Sequence, residues 1–308
     1  KNPRQFLVQP QINKPNFMIV GAMKAATTSL YTYLKQHPEI FMTDIKEPMF
    51  FNNYQQQNDY KLMGTISKKN TDFSKYLNLF SKVDQEIAVG EASPSYIYNP
   101  KAASLIKEKF PNSKIIAILR HPTDRAYSNF LHVRRAGRET ESDFSKAIDV
   151  EQNRIKDNWS PLYHYISQGY YSIQLERYFK EFPQDNIRIY LFEDLINNPN
   201  QTLRDIFGFL SVNKDLEIDV NKKSNVSGDP NGLFGWIVKK MRFYNLMPKI
   251  SISKYLPSFM ISYITKVIYK KPQKLDNHLR NEITKKYYLD EIKKLEKIIG
   301  RDLSHWSS

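Results

Sequence analysis

Two short segments combine residues suited to holding a phosphorylated anion. The first is Gly21-Ala22-Met23-Lys24-Ala25-Ala26-Thr27-Thr28-Ser29, in which small residues surround one lysine and three hydroxyl residues follow. The first N–H groups of a helix have no intrahelical partner and carry the positive end of its dipole, so an anion is favoured there. Lys24 adds a full charge, and Thr27, Thr28 and Ser29 add hydroxyl donors. A loop that binds a triphosphate with magnesium needs G-x-x-x-x-G-K-[ST]. Here Met23 precedes Lys24 and Ala25 follows it, so the metal-holding hydroxyl is missing. An anion loop working without a metal is the better reading, and an ordinary helix capped by Thr or Ser is the alternative on spacing alone. The second segment, Leu119-Arg120-His121-Pro122-Thr123-Asp124-Arg125-Ala126-Tyr127-Ser128, puts Arg120 just after an apolar run and Ser128 on the next helical stretch. A guanidinium offers a bidentate fork to a phosphate, and Ser128 can add a hydroxyl. Taken alone this is a weak signal, because an Arg at a strand end is more often half of an ion pair, here with Asp124, than a ligand contact.

The elements that must position these residues alternate strand and helix. Phe17 to Val20 reads as a buried strand running into Gly21, and Thr27 to Gln36 as a helix closed by His37-Pro38. Ile87 to Val89 is a second strand and Pro100 to Phe110 a helix. Lys114 to Leu119 is a third strand, apolar without alternation, as a parallel sheet covered on both faces requires. Pro122 to Arg135 is helical, with Ala126, Tyr127, Phe130 and Leu131 as its inward stripe. Ile187 to Leu191 is a fourth strand, followed by a helix over Gln201 to Leu210. This order predicts an α/β fold with a central parallel sheet flanked by helices and right-handed crossovers. Ligands of such sheets bind outside the carboxyl ends of the strands, where both segments fall. From Trp236 the text turns to basic amphipathic helices, the last spanning Leu279 to Ile299. The chain reads as one domain over 1–308, with a core of about 15–230 and a helical C-terminal extension of about 231–308.

Composition narrows the function classes. With 308 residues, 41% hydrophobic and 25% charged, the chain has the make-up of a folded protein with room for a large core. It contains 0 cysteines, which excludes disulfide frameworks, thiolate zinc sites and cysteine nucleophiles. The longest uncharged run, Asn158 to Leu175, is broken by Pro161 and Gly169 and is rich in polar residues, so it does not read as a membrane span. The N-terminal stretch lacks the apolar core of a secretory signal, and a cytoplasmic setting is the default expectation. Net charge is +14, of which +10 falls after Pro230, where 16 basic residues face 6 acidic ones. Such a surface attracts anions, and nucleic acid, anionic lipid, polyanionic glycans and phosphorylated cofactors all qualify. Lysine-rich solvated helices explain the excess equally well.

Taken together and in this order, the two segments resemble the sulfotransferase family that uses 3′-phosphoadenosine 5′-phosphosulfate (PAPS), in its bacterial branch related to the heparan-sulfate sulfotransferases. Lys46-Glu47-Pro48-Met49-Phe50-Phe51, GEASPSY from Gly90 to Tyr96, GYYSIQLERY from Gly169 to Tyr178, LFEDLINNP from Leu191 to Pro199 and GRDLSHW from Gly300 to Trp306 carry the resemblance along nearly the whole chain. It implies a P-loop-like fold and sulfuryl transfer from PAPS, releasing adenosine 3′,5′-bisphosphate with no metal. On this resemblance Lys24 is the catalytic lysine at the transferring group. Ala25, Ala26, Thr27, Thr28 and Ser29 hold the 5′-phosphosulfate, and Arg120 and Ser128 hold the 3′-phosphate. The family often has Gly where Ala26 stands, which makes this loop stiffer.

The resemblance also bears on the general base. Small-molecule members take the acceptor proton with a His in the segment aligning with Ala92-Ser93-Pro94, and no His is there. The glycan-modifying branch uses a Glu in the segment matching Lys46 to Phe51, which makes Glu47 the expected base. A Glu that merely pairs with Lys46 is the alternative. Some relatives carry His two residues after that Glu, where this chain has Met49. His164 is an alternative base without a motif match, and His132, another, is expected to be packed. The expected acceptor is a glycan hydroxyl or nitrogen, with a small natural product as the runner-up. Tyr163-His164-Tyr165 and Gly169-Tyr170-Tyr171 are candidate walls of the acceptor site. Lys239, Lys240, Arg242, Lys270, Lys271 and Lys274 form a candidate basic face for a polyanion or a peripheral membrane contact. An ATP-dependent kinase is disfavoured by Ala25, and a nucleic-acid-binding protein by the lack of a recognition motif, so no nucleic-acid partner is expected.

Overall fold

A run of bulky apolar residues forms a strand buried on both faces only if helices cover both sides of its sheet, and Phe17, Met18, Ile19 and Val20 are all fully buried. The computed structural model describes residues 13–55, 60, 71–221, 229–230, 269–270 and 274–307. In chain order these form β1 (Phe17–Gly21), α1 (Thr27–Leu34), β2 (Ile40–Met42), α2 (Phe50–Asn53), α3 (Phe73–Leu77), β3 (Ala88–Ala92), α4 (Ala102–Lys109), β4 (Lys114–Leu119) and α5 (Pro122–Arg135). There follow α6 (Phe144–Asp149), α7 (Glu151–Lys156), α8 (Tyr171–Glu181), β5 (Ile187–Leu191), α9 (Phe192–Asn197) and α10 (Pro199–Leu210). Helices α11 (Asn277–Ile283) and α12 (Leu289–Ile299) close the described chain, joined by a π-helical segment at Thr284–Tyr288. A two-residue antiparallel pair joins Asp229–Pro230 to Tyr269–Lys270.

The five strands form one parallel sheet in the order β2-β3-β1-β4-β5. The chain fills one side of β1 and then the other, so the loop after β1 leaves the middle of the sheet at its carboxyl edge. That is where ligands of parallel sheets bind. Four of the five strands match the expected ones. Three-residue β2 escapes periodicity because it is too short to carry a pattern. The second strand lies further along than expected: Ile87 is outside it and 53% exposed, whereas Glu91 is inside it and fully buried.

The chain divides into two compact units. One gathers the described residues of Lys1–Gln57, Ser67–Leu119 and Gln174–Lys222, and contains the whole five-stranded sheet. The other gathers those of Asn58–Ile66, Arg120–Ile173 and Lys223–Ser308. In the first, Gly90 faces the Phe17 ring, where an added Cβ would come within 2.4 Å, so only glycine lets β3 pack there.

The second unit ties the C-terminal helices to α5. Thr123 and Thr284 share a hydrogen bond at 2.7 Å, and Asp124 pairs with Arg280 at 2.9 Å. Tyr288 donates its hydroxyl to the Ile166 carbonyl at 2.8 Å, and a Cβ at Gly169 would come within 2.5 Å of that hydroxyl. Several boundaries differ from expectation. Helix α4 starts at Ala102, because Asn99 and Pro100 belong to the preceding turn, and α10 begins earlier, at Pro199. In α5, Ala126 and Phe130 are buried as expected, but Tyr127 and Leu131 are half-buried, and Thr123, Arg125, Asn129 and Val133 complete the inward face. Between Trp236 and the start of α11 the described residues are Tyr269–Lys270, which form a strand, and 274–276; the rest of the expected helices lies outside the described residues.

Candidate functional site

The first anion segment leaves β1 at Gly21, where an added Cβ would come within 2.4 Å of the Ile97 side chain. Only glycine lets the chain turn there. The Ala22 N–H donates to the Ile118 carbonyl at 2.7 Å, which anchors the loop to β4. Lys24 has φ 68° and Ala26 has φ 65°, both in the left-handed region. That conformation costs a non-glycine residue roughly 1–2 kcal/mol, so a loop holding two of them retains strain of the kind found at functional sites. Ala26 occupies the N-cap of α1, and no side chain caps that helix. The first backbone bond into the helix runs from the Leu30 N–H to the Ala26 carbonyl, so the N–H groups of Thr27, Thr28 and Ser29 stand at an uncapped positive end. Thr27 is buried, while Lys24, Ala26, Thr28 and Ser29 are half-buried. The donors thus fit an anion with several oxygens, such as a phosphosulfate, and the alternative of a helix capped by Thr or Ser does not hold.

Glu47 belongs to the same unit, on the loop that follows β2 at the carboxyl edge of the sheet. It too is left-handed, with φ 60°, as is Met49 with φ 50°. Its N–H donates to the Ala92 carbonyl at 3.1 Å, and its carboxylate is ion-paired with the Lys46 ammonium. The side chain of Glu47 is 34% exposed, so the carboxylate remains open to a reactant.

Beneath this loop lies Glu91, for which sequence reasoning assigned no role although it stands in the GEASPSY segment. It has 0% exposure. One carboxylate oxygen accepts from Ser93 at 2.7 Å; the other accepts from Tyr96 at 2.7 Å and Tyr76 at 3.2 Å. Burial pushes the Glu91 carboxyl up to about 7, the three hydroxyl donors partly offset this, and the nearby Glu47 charge adds a small rise. A glutamate inside a strand of small and apolar residues was the available signal.

Arg120 and Ser128 belong to the second unit. Arg120 directly follows β4, is half-buried, and its carbonyl accepts the Tyr171 hydroxyl at 2.9 Å. Ser128 lies half-buried on α5. Asp124 pairs with Arg280. Between Arg120 and the helix, buried His121 meets the Trp306 carbonyl through Nε2 at 2.8 Å. Burial lowers its pKa to about 4, Asp124 opposes this, and Arg280 and Arg120 add to the fall, so the ring is neutral near pH 7. The contact brings the GRDLSHW segment to the start of α5. Arg125 has 0% exposure; its Nη2 donates to the Tyr165 carbonyl, while Nε and Nη1 have no hydrogen-bond partner among the described residues.

Several expectations for the acceptor region are corrected. Tyr163, Tyr165 and Tyr171 are buried, with 3%, 0% and 0% exposure, because their rings fill the core of the second unit; Tyr170 alone of the four is half-buried. His132 is exposed rather than packed, because it lies on the outer face of α5. His164 is buried and burial lowers its pKa to about 4, which removes it from the surface a proton acceptor needs. Lys239, Lys240, Arg242 and Lys271 lie outside the described residues, as does the side chain of Lys270, and Lys274 is exposed. Among the described residues no helix is long and apolar enough to cross a membrane, and no group of three or more His, Asp or Glu could hold a metal ion.

Comparison with known proteins gives a consistent picture. The model of the sulfotransferase family matches residues 15–215. A crystal structure of a sulfotransferase from Alicyclobacillus acidocaldarius superposes with a TM-score of 0.73 at 29% identity, covering 96% of this chain and 100% of that one. Mouse bifunctional heparan sulfate N-deacetylase/N-sulfotransferase 4 is 24% identical across 88% of this chain and 32% of its own length. Human carbohydrate sulfotransferase 15 is 22% identical across 64% of this chain and 44% of its own length. A membrane-associated sulfotransferase of Dictyostelium discoideum is 32% identical across 38% of this chain and 22% of its own length. The chain therefore spans under half the length of these curated relatives.

Proposed function

The chain belongs to the sulfotransferase family, and from that membership we propose that it moves a sulfuryl group from PAPS to a hydroxyl or nitrogen of a glycan, working as a single sulfotransferase domain. The observation that carries this reading is the Gly21–Ser29 loop, where two left-handed residues lead into an uncapped helix with three hydroxyl residues in its first turn. PAPS supplies the sulfuryl group, and adenosine 3′,5′-bisphosphate leaves. The N–H groups and hydroxyls of Thr27, Thr28 and Ser29, with the backbone of Ala25 and Ala26, hold the 5′-phosphosulfate. Arg120 and Ser128 hold the 3′-phosphate, which distinguishes this donor from ATP.

Sulfuryl transfer resembles phosphoryl transfer, in which positioning and electrostatics do most of the catalysis. As the acceptor atom bonds to sulfur, the bond from sulfur to the 5′-phosphate oxygen breaks and its electron pair stays with that oxygen. Lys24 neutralises the charge developing there. Glu47 takes the acceptor's proton, and its ion pair with Lys46 keeps the carboxylate oriented while leaving it accessible. Two features support a glycan acceptor: the base is a Glu after β2 with no His in Ala92-Ser93-Pro94, and two of the relatives are by name carbohydrate or heparan sulfate sulfotransferases.

The test is to incubate the protein with PAPS and EDTA, offering de-N-sulfated heparin, neutral oligosaccharides and small hydroxyl compounds in parallel, and to follow sulfated products by mass spectrometry. Transfer to a saccharide is expected. Transfer only to small compounds would replace the glycan by a natural product, and phosphate transfer from ATP would overturn the sulfotransferase reading. A polyanionic acceptor should also show a KM that rises with salt.

A further inference from the structure

We propose that Glu91 is a positioning residue for Glu47, acting through the hydroxyls of Ser93 and Tyr96. This rests on the reading of Glu47 as the base. In its ionised form, which prevails above about pH 7, buried Glu91 can only accept hydrogen bonds, so every hydroxyl touching it must then point its hydrogen inward. Glu91 thereby fixes three hydroxyls at once: Ser93 on one oxygen, Tyr96 and Tyr76 on the other. With their hydrogens committed, Ser93 and Tyr96 turn lone pairs toward the loop that carries Glu47. Ser93 Oγ accepts the Met49 N–H at 3.0 Å, and the Tyr96 hydroxyl oxygen accepts the Phe51 N–H at 3.3 Å. Together with the bond from the Glu47 N–H to the Ala92 carbonyl, three alternate amides of the loop are tied to β3 and the turn after it.

This tether explains how the loop holds an unfavourable backbone. Glu47 and Met49 are both left-handed, and neither is a glycine. Such a pair persists only where the surroundings over-determine it. The side chains beneath are equally committed: Phe50 and Phe51 have 0% exposure, and Phe50 stacks on Tyr76 at 4.5 Å between centroids. Asn52 adds a side-chain bond to Ser95 at 2.6 Å. Glu91 itself has 0% exposure, so it touches no reactant.

Ser93→Ala removes one relay together with its hydrogen bond to Glu91, Ser93→Thr keeps the hydroxyl, and Glu91→Gln places an amide donor against hydroxyls that must then turn. The readouts are hydrogen exchange across residues 46–53, calorimetric affinity for adenosine 3′,5′-bisphosphate, and release of that nucleotide from PAPS with de-N-sulfated heparin and with water as sole acceptor. Ser93→Ala should speed exchange at the Met49 amide by about tenfold, the loss of one ordinary hydrogen bond, and Glu91→Gln should do so at both the Met49 and Phe51 amides. Release should fall by up to about 10²-fold, as a small misplacement of a catalytic group does, with nucleotide affinity unchanged. Ser93→Thr should restore both. In a Glu47→Gln background, Ser93→Ala should cost nothing further, because the two act as one unit. Unaltered exchange in Ser93→Ala, or an equal loss of release with and without Glu47, overturns the positioning role alone. A near wild-type rate in Glu47→Gln overturns the base and the positioning role together.

Discussion

Replacing Glu91 by Gln should flatten the dependence of stability on pH between about 5 and 8. In the folded chain burial raises the Glu91 carboxyl from 4.5 to about 7, so the folded state holds its proton more tightly than the unfolded state. Its favourable contribution is therefore complete below the unfolded value and is lost as pH rises through about 7. A tenfold difference in proton affinity between the two states is worth about 1.36 kcal/mol, which makes the full effect of order 3 kcal/mol, most of it falling between pH 5 and pH 8. Solvent does not screen this contribution, because Glu91 has 0% exposure. The amide of the Glu91→Gln variant cannot titrate, so urea unfolding of both proteins at pH 5 and pH 8 isolates the effect as a difference of differences. The absolute cost of setting an amide against Ser93, Tyr96 and Tyr76 cancels. The wild type should lose more than the variant on going from pH 5 to pH 8, by an amount on the order of 2–3 kcal/mol. Equal losses would refute the reasoning, because they would mean that the three hydroxyl donors compensate for burial and keep the carboxylate ionised throughout.

Lys24→Ala should keep calorimetric affinity for adenosine 3′,5′-bisphosphate while turnover falls by roughly 10²–10³, since Lys24 acts on charge that develops during transfer; lost binding with unchanged turnover would contradict this. Arg120→Ala should weaken adenosine 3′,5′-bisphosphate far more than adenosine 5′-phosphate in parallel titrations, whereas equal weakening would make Arg120 structural. Ala26→Gly should be neutral or stabilising by up to about 1 kcal/mol in urea unfolding, because relief of the left-handed strain is partly offset by the freer unfolded chain. Ala26→Val should destabilise by more than about 1 kcal/mol, since a β-branched residue fits φ 65° poorly.

Much of the fold was legible in the chain because local rules apply where it matters. Phe17 to Val20 and Lys114 to Leu119 are runs too apolar for anything but strands covered on both faces, and each ends at a segment with chemistry of its own. The Lys24 loop could be read because glycine, small residues, lysine and hydroxyls occur together within nine positions. Pro122 announced α5 by standing at its first turn. The residues proposed for donor binding are all of this kind, each carried by a short segment whose composition is itself the signal.

What remained hidden depends on contacts between residues distant in sequence. Three-residue β2 exists because Ile40 to Met42 pairs with Ala88 to Gly90, and no periodicity within three residues announces that. Tyr163, Tyr165 and Tyr171 looked like walls of a binding site, and only packing could show them to be core, since a tyrosine serves either purpose. The left-handed φ of Lys24, Ala26, Glu47 and Met49 is invisible in residue types that ordinarily avoid it. Glu91 is the clearest instance. A charge with no exposed surface is costly unless its partners are in place, and those partners, Tyr76, Ser93 and Tyr96, come from α3 and from the turn after β3. Composition and spacing determined four of the five strands and the anion loop, whereas the hydrogen-bond geometry that binds Glu91 to the Glu47 loop arises only once the chain has folded.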